Sequence, residues 1–314
     1  DDIQELLTLY FVIYGTKYPL PLGTDRTVMR RTILAPDNLW ILAISNEPSN
    51  SSKSEKICGS GVFEVDSTYK IARAAALVVH PNFQKMGIAT KILRHGSKYL
   101  LEENKTVHSI YTTTRTLSVG PQLAFLKDHY IPLGVFPNAH RLATYETLTL
   151  MGKFRQDILN RRKKVTEVPE ALGPILKTLE KHVKSKHSIP RLLKMAKPHP
   201  SGEHLEFDLI RAPKYVQRKF FETFKDPFDR FYPFHLPNFL VSARNGEVDI
   251  YGYLGESDGY CTLVCSSQPI FTLAGRLRPL MQQLHDFGVS YLEILMATDN
   301  ILSLETLLDV NFLP

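Results

Sequence analysis

A strand, a short loop and a helix that follow one another between residues 74 and 100 constrain this chain more than any other feature of its sequence. The apolar run 74–79 predicts a buried strand that ends at His80-Pro81. The loop Gln84-Lys85-Met86-Gly87-Ile88-Ala89 follows, and residues 90–100 have the apolar spacing of a helix. Small residues let a backbone approach an anion, and the first N–H groups of a helix have no partner within it. The segment therefore predicts an anion site without identifying the anion.

Length and composition allow two domains. The 314 residues, 43% of them hydrophobic, are enough for two domains of ordinary size, each with its own core. No apolar run approaches the roughly 18–20 residues that span a bilayer, so association with a membrane is not expected.

The three cysteines predict a reduced, cytoplasmic protein without a metal ion. Cys261 and Cys265 lie four residues apart in a strand-like run, which puts about 13 Å between their Cα atoms, too far for a disulfide. Cys58 is remote from both in the sequence, and no spacing among the three is typical of metal ligands.

Positive charge is concentrated in residues 152–204. This stretch has 13 Lys and Arg against 5 Asp and Glu, a net charge of +8 that leaves −2 for the rest of the chain, whose total is +6. The run Arg161-Arg162-Lys163-Lys164 could meet nucleic acid. Phe154 is the only aromatic residue of the stretch, however, and nucleic-acid readers use aromatic rings. A solvated connector with basic helix faces is the preferred interpretation, and nucleic acid is not the expected partner.

Periodicity predicts a mixed α/β first half, a connector that is helical around 170–184, and a second α/β part. The elements predicted for the first half are a helix at 2–14, strands at 39–44, 57–65, 71–79 and 107–113, a helix at 120–127, and strands at 130–137 and 141–150. In the second part, strands are predicted at 239–242, 248–254, 260–266 and 291–297, with a helix at 272–287.

The two halves end alike, which favours an internal duplication. A strand at 109–114, a short helix and then Tyr130-Ile131-Pro132 close the first; a strand at 292–297, a short helix and then Phe312-Leu313-Pro314 close the second. A chance similarity between strand–helix–strand units is the alternative. Because the first copy continues to Leu150, a true second copy would be truncated at its C-terminus.

Residues 1 to about 150 resemble the GCN5-related N-acetyltransferase (GNAT) superfamily. Its most recognisable element is a strand of the form L-x-V-x-P followed by Q/R-x-x-G-x-G/A and a helix, here Leu77-Val78-Val79-His80-Pro81 and then Gln84 to Ala89. The order of the predicted elements around this motif also fits. The resemblance implies a GNAT domain over 1–151, a basic helical connector over 152–204 and a degenerate GNAT-like domain over 205–314.

The resemblance implies acetyl-coenzyme A as the acyl donor and assigns residues to it. Main-chain groups of one strand would pair with the pantetheine arm, and the strand would splay from its neighbour to open a cleft for the thioester; these residues are Leu77, Val78 and Val79. The loop, with its backbone N–H groups, would hold the pyrophosphate; these residues are Gln84, Lys85, Met86, Gly87, Ile88, Ala89 and Thr90.

The usual acid and base of the family are not in their usual places. Arg73 stands where many members have a glutamate base, and Phe125 where many have a tyrosine acid. We take Glu64, with Asp66 behind it, as the candidate base acting through water, and Tyr130 as the candidate acid. The alternatives are a solvent-facing strand residue for Glu64 and a core aromatic for Tyr130.

The second half lacks the coenzyme loop, since Ser266 to Gly275 contains no Q/R-x-x-G-x-G/A pattern. It would cap the first domain, shape the acceptor site or form the surface of a homodimer. The predicted function is an acetyl-coenzyme A dependent N-acyltransferase acting on a small-molecule or protein amine. The alternative is a non-catalytic binding or scaffold protein that keeps the fold and coenzyme A as a ligand.

Overall fold

The computed structural model describes residues 2–15, 21–45, 56–141, 144–183, 190–194, 206–230, 232–255 and 258–314. The chain divides into an N-terminal unit, Asp1–Pro137 with Glu146–Leu159, and a C-terminal unit, Asn138–Tyr145 with Asn160–Pro314. The boundaries at 151 and 204 remain predictions. Much of the predicted connector, residues 184–189 and 195–204, lies outside the described residues.

The described residues of the N-terminal unit form four helices and most of a six-stranded sheet. The helices are α1 (Asp2–Tyr14), α2 (Arg26–Leu34), α3 (Ile88–Lys98) and α4 (Val119–Lys127). The strands are β1 (Asn38–Ser45), β2 (Lys56–Asp66), β3 (Ile71–Val79), β4 (Ser109–Arg115), β5 (Ile131–Arg141) and β6 (Tyr145–Phe154). The sheet order is β1-β2-β3-β4-β6-β5, and β3 and β4 are its parallel pair. The strands β5 and β6 have their adjoining ends, at 138–145, in the C-terminal unit.

Two apolar layers cover the two faces of this sheet. On one face, α3 and α4 pack against Phe63, Ala72 and Ile110. On the other face, α1 and α2 pack against Ile57 and Val78. The mixed α/β fold is as the sequence predicts, and so is the order of its elements except for α2.

The sequence analysis assigned no helix to residues 26–34, where the structure has α2. Asp25 caps this helix, and its Oδ1 accepts hydrogen bonds from the backbone N–H groups of Thr27 and Val28 at 2.7 and 2.9 Å. Only Met29 of the nine residues is fully buried, so the apolar stripe is too narrow to give a periodic signal.

The C-terminal unit has its own sheet. Its elements are β7 (Glu167–Pro169), α5 (Gly173–Val183), β8 (Arg191–Leu193), β9 (Phe207–Ile210), α6 (Pro213–Thr223), β10 (Phe239–Ala243), β11 (Asp249–Leu254), β12 (Tyr260–Ser266), α7 (Leu277–Asp286), β13 (Tyr291–Ile294) and α8 (Ile301–Asp309). The five-stranded sheet has the order β13-β12-β11-β10-β9, and β7 pairs with β8 separately. The helix α6 was not predicted, because only Val216 and Phe220 of it are buried.

The two sheets share a plan. Each has antiparallel strands that lead into one parallel pair, β3 with β4 and β12 with β13, and a helix connects the strands of that pair. A duplication accounts for this likeness, and it remains our proposal. No helix among the described residues is long and apolar enough to cross a membrane. All three cysteines are free, as their spacing predicts.

The helix α3 packs tightly against Phe63 of β2 at Gly96, and we expect Gly96→Ala to destabilise the N-terminal unit. A Cβ at this position would lie 2.1 Å from the ring of Phe63, which is buried in the core. Overpacking of this kind costs about 1–3 kcal/mol. The control is Gly120→Ala in α4, where the nearest atom is 3.8 Å away. Urea unfolding followed by circular dichroism measures both, and equal stability of the two variants would contradict the packing described here.

Candidate functional site

The parallel strands β3 and β4 separate after three residues. Their pairing covers Ile71–Arg73 and Ser109–Tyr111, although β3 continues to Val79 and β4 to Arg115. Thr112 lies where the next pair would form, and its buried hydroxyl donates a 2.8 Å hydrogen bond to the carbonyl oxygen of Ala74. The carbonyl of Ala74 thus has a hydrogen-bond donor although β4 no longer pairs with β3 at this position. The bond stabilises the point where the two strands separate, which is the base of a cleft between them.

A bulge lies in the part of β3 that β4 leaves unpaired. The register between β2 and β3 shifts between Ser60 and Val62, and Ala76 has a φ of 52°. A non-glycine residue in this left-handed region is strained unless its surroundings hold it. Here the hydroxyl of Tyr10, fully buried on α1, donates a 2.7 Å hydrogen bond to the carbonyl oxygen of Ala76. Burial raises the pKa of Tyr10, so it keeps the proton that it donates.

The strand segment Leu77 to Val79 has one edge available for a ligand. Its other edge is used, since Val78 pairs with Ser60 and Val79 with Gly59 of β2. The side chain of Val78 is buried, which leaves main-chain groups as the ones that can meet a partner on the β4 side. The geometry therefore suits the strand-like pairing that the resemblance implies for these residues.

The loop from Gln84 to Thr90 presents backbone N–H groups at the start of α3. Gly87 is the N-cap, with a φ of 78° and no side-chain cap. Lys91 donates to the carbonyl oxygen of Gly87 at 3.0 Å, so the N–H groups of Ile88, Ala89 and Thr90 precede the first bond of the helix. Gly87 is exposed, and a Cβ there would meet no atom within 4 Å. Its left-handed φ, rather than crowding within the protein, is the conformational reason for glycine.

The loop is supported from the strand side. Gln84 donates from Nε2 to the carbonyl oxygen of Val79 at 3.4 Å, and Lys85 also has a left-handed φ, of 64°. Lys85 and Met86 are exposed, so one cation and an unobstructed backbone lie beside the helix start. Together with the helix dipole, this arrangement can hold a multiply charged phosphate group.

Charged side chains form two ion pairs on the face of the sheet that α1 and α2 cover in part. Glu64 pairs in register with Arg73, and Arg73 with Tyr111, so these three residues share that face. Arg73 Nε lies 2.5 Å from Glu64 Oε2. Arg115 lies four residues beyond Tyr111 and therefore on the same face of β4. It binds the buried carboxylate of Glu146 with two hydrogen bonds of 2.5 and 2.6 Å.

Glu64 is therefore placed on the side of the cleft opposite α3, with its carboxylate held by Arg73. Asp66 has a local role: its Oδ1 accepts from the N–H groups of Thr68 and Tyr69 in the turn after β2. The assignment of Glu64 as the base stays a prediction.

Tyr130 lies in the core beneath α3. Its hydroxyl is 3.1 Å from Ser97 Oγ, and Ser97 donates its own proton to Asp128 at 2.9 Å, so Tyr130 is the donor to Ser97. Lys153 Nζ also binds Asp128, at 2.9 Å. Burial raises the pKa of Tyr130 well above its usual range. Phe125, at the family's tyrosine position, packs edge-on against it. The assignment of Tyr130 as the acid also stays a prediction.

Sequence reasoning did not identify Thr112, Tyr10 or the pair of Arg115 and Glu146. In the sequence, Thr112 is one of several threonines in a predicted strand, and Tyr10 is one of several apolar positions in a predicted helix, so neither stands out. The partners lie 38 residues away for Thr112, 66 for Tyr10 and 31 for Arg115. No local pattern contains such distances.

The C-terminal unit has a parallel strand pair but not the loop. Pairing of β12 with β13 ends at Leu263 and Ile294, where β13 itself ends, and β12 continues to Ser266. A 3-10 helix, Ile270–Arg276, then leads directly into α7, whose N-cap Arg276 has a φ of −109°. The left-handed glycine and the exposed turn that precede α3 therefore have no counterpart here.

One family model matches the N-terminal part of the chain. Residues 2–125 match the family described as "Acetyltransferase (GNAT) family". No curated protein matches the chain.

Among solved structures, Arabidopsis thaliana NAA60 in complex with a bisubstrate analogue is 11% identical, with a TM-score of 0.42, over 49% of this chain and 92% of that one. The ribosomal-protein-S18-alanine N-acetyltransferase from Escherichia coli is 12% identical, with a TM-score of 0.39, over 49% and 90%. An aminoglycoside 6'-N-acetyltransferase complexed with coenzyme A is 15% identical, with a TM-score of 0.38, over 48% and 89%.

We expect Thr112→Val to destabilise the cleft. The change keeps the shape of the side chain but leaves the buried carbonyl of Ala74 without its donor, at a cost of about 1–3 kcal/mol. Thr113→Val, on the exposed face of the same strand, is the matched control and should change stability by less than about 0.5 kcal/mol. Urea unfolding measures both variants, and equal effects would show that the Thr112 hydroxyl does not hold the splay.

Proposed function

Because residues 2–125 form a domain of the acetyltransferase (GNAT) family, we propose that this chain is an acetyl-coenzyme A dependent N-acyltransferase. The observation that carries the proposal is the combination of a splayed parallel strand pair with an open helix start at the end of the first strand. The first can take the pantetheine arm by strand-like pairing, and the second can take the pyrophosphate. Neither feature alone would indicate the coenzyme.

Acetyl-coenzyme A would supply the activated acyl thioester, and the protein would hold this thioester in position for the acceptor amine. Leu77, Val78 and Val79 would align the arm along β3, and the residues from Gln84 to Thr90 would hold its phosphate end. A main-chain N–H of the bulged segment would stabilise the developing oxyanion. An amine held close to the thioester gains much of its rate from proximity.

The acceptor amine would enter from the face that carries the two ion pairs. Glu64 is the carboxylate on this face that can accept its proton, directly or through a water molecule, once its contact with Arg73 loosens. Arg115 and Glu146 form a fixed ion pair at the far end of β4. The acceptor is a small-molecule or protein amine, and the cytoplasm is the compartment that the free cysteines favour.

Gly87→Glu should abolish coenzyme A binding without unfolding the protein. The change adds a negative charge and bulk where the phosphates would lie, and it also strains a left-handed position. Gly246→Glu is the matched control, because Gly246 is exposed, has a φ of 77° and has open space around it in the C-terminal unit. Calorimetric titration with coenzyme A measures both variants. Retained affinity in Gly87→Glu, or equal loss in the control, would contradict the proposed site.

Glu64→Gln should lower kcat on the order of a hundredfold with little change in the KM for acetyl-coenzyme A, because it removes the base but not the coenzyme site. Arg73→Gln is the informative partner variant, since it frees the carboxylate of Glu64 and should keep or raise kcat at neutral pH. Thiol release from acetyl-coenzyme A with an active amine measures both. If Glu64 only anchors Arg73, both variants lose stability and Glu64→Gln keeps its kcat.

The second candidate is a non-catalytic protein that binds coenzyme A as a ligand. The ion pair between Glu64 and Arg73 and the buried position of Tyr130 favour it, because neither proposed catalytic group is free in this conformation. A panel of polyamines, amino acids and peptide N-termini, assayed for thiol release, separates the two functions. Coenzyme binding without any release across the panel would favour the scaffold.

A further inference from the structure

We propose that the C-terminal unit has a binding site for an organic ammonium ion, formed by an aromatic wall and the carboxylate of Glu293. The aromatic wall consists of five half-buried rings on the α6 face of the sheet, namely Tyr232, His235, Tyr253, Tyr260 and Tyr291. The proposal does not depend on the acyltransferase function, because none of these residues belongs to the N-terminal unit.

Strand alternation puts the wall and the carboxylate on one face. Leu292 and Ile294 of β13 pack in the core beneath α7, so Tyr291 and Glu293 point to the opposite face. In β12, Cys261 and Leu263 lie in the same α7 core, which turns Tyr260 towards the face of Glu293. This is the face on which α6 packs.

The rings form one continuous surface. Tyr260 and Tyr291 stack at a centroid distance of 5.8 Å and an interplanar angle of 12°. His235 packs edge-on against Tyr253 at 5.2 Å and Tyr232 at 5.3 Å, and it lies 6.1 Å from Tyr260. All five residues are half-buried, so none is fully covered by the rest of the unit.

Glu293 gives this surface its charge. Its carboxylate accepts a hydrogen bond from the hydroxyl of Tyr232, and no described Lys, Arg or His forms an ion pair with it. The nearby Asp258, by contrast, is paired with His140 at 3.1 Å. Burial and the Glu293 charge raise the pKa of Tyr291 to about 12, so this phenol is neutral at physiological pH. The wall therefore combines neutral π faces with one carboxylate that has no counter-cation among the described residues.

An organic ammonium ion matches this chemistry better than a metal ion or an anion. Ring faces attract cations through the quadrupole of the π system, and a half-buried carboxylate adds a full charge. A divalent metal ion would need several oxygen ligands, and a single carboxylate with phenols does not supply them. An anion would be repelled by Glu293. A primary ammonium and a quaternary ammonium share the chemistry that this surface recognises.

The test uses the full chain and probes that separate charge from shape. Choline and n-butylammonium represent quaternary and primary ammonium ions, and 3,3-dimethylbutan-1-ol is a neutral isostere of choline. Calorimetric titration at low ionic strength should show saturable binding of at least one ammonium ion, with the isostere at least tenfold weaker. Which ammonium ion binds identifies the class of ligand.

Variants of the wall supply the controls. Glu293→Gln should weaken binding about tenfold, Tyr291→Leu by about 5- to 30-fold, and Tyr291→Phe only slightly, because the ring face remains. Tyr215→Leu changes an exposed tyrosine on α6 outside the wall and should have no effect. Circular dichroism verifies the fold of each variant. No saturable binding of either ammonium ion, equal binding of the isostere, or unchanged affinity in Glu293→Gln would overturn the proposal.

Discussion

The hydrogen bond from Thr112 to the carbonyl of Ala74 is the contact on which the rest of the candidate site depends. Two parallel strands that begin in register would normally continue to pair, since an unpaired buried carbonyl is costly. Here the Thr112 side chain donates to the carbonyl oxygen of Ala74 at the first position where the two strands no longer pair. Two residues further along β3, the hydroxyl of Tyr10 binds the carbonyl oxygen of Ala76 from the other face of the sheet and so stabilises the bulge. The cleft therefore exists before any ligand arrives.

The loop at the end of β3 can act as an anion site because the cleft positions it. Val79 ends the unpaired strand, and Gln84 ties the following turn back to it. Gly87 then caps α3 from a left-handed conformation, and the N–H groups of the first turn have no partner within the helix. The C-terminal unit has a similar parallel pair followed by a continuous 3-10 and α-helical segment. Both units therefore have the parallel strand pair, and among the described residues the N-terminal unit alone has the loop with the left-handed glycine before its helix.

The sequence predicted those parts of the site that local pattern determines. The bounds of α1 and β3 agree with the structure, since a long apolar stripe and a run of apolar residues ending at a proline are strong local signals. The helix after the loop was predicted from residue 90, and α3 begins two residues earlier, at Ile88, with Gly87 as its N-cap. The helix α2 was not predicted, because its features are an N-cap and one buried methionine. Neither produces the apolar periodicity by which a helix is recognised in a sequence. Ala76 looks like its neighbours in the sequence, and only its partner on α1 explains its conformation.

The charged residues of the cleft could not be arranged from the sequence, because their partners lie on neighbouring strands. In the sequence, Arg73 stands where many members of the family have a glutamate base. In the structure, Arg73 forms an ion pair with Glu64, the residue that we take as the candidate base instead. Cross-strand register decides this pairing, and a shift by one residue would turn the two side chains to opposite faces. Whether Glu64 can act as the proposed base therefore depends on how firmly Arg73 holds its carboxylate.

Hydrogen–deuterium exchange with and without coenzyme A is the most direct test of the proposed coenzyme site, because it monitors the backbone amides that would contact the ligand. We expect slower exchange in peptides that cover residues 74–79 and 85–90 when coenzyme A is present, and no change in peptides that cover 266–277. Protection in the C-terminal segment instead, or unchanged exchange in both N-terminal segments at saturating coenzyme, would contradict it.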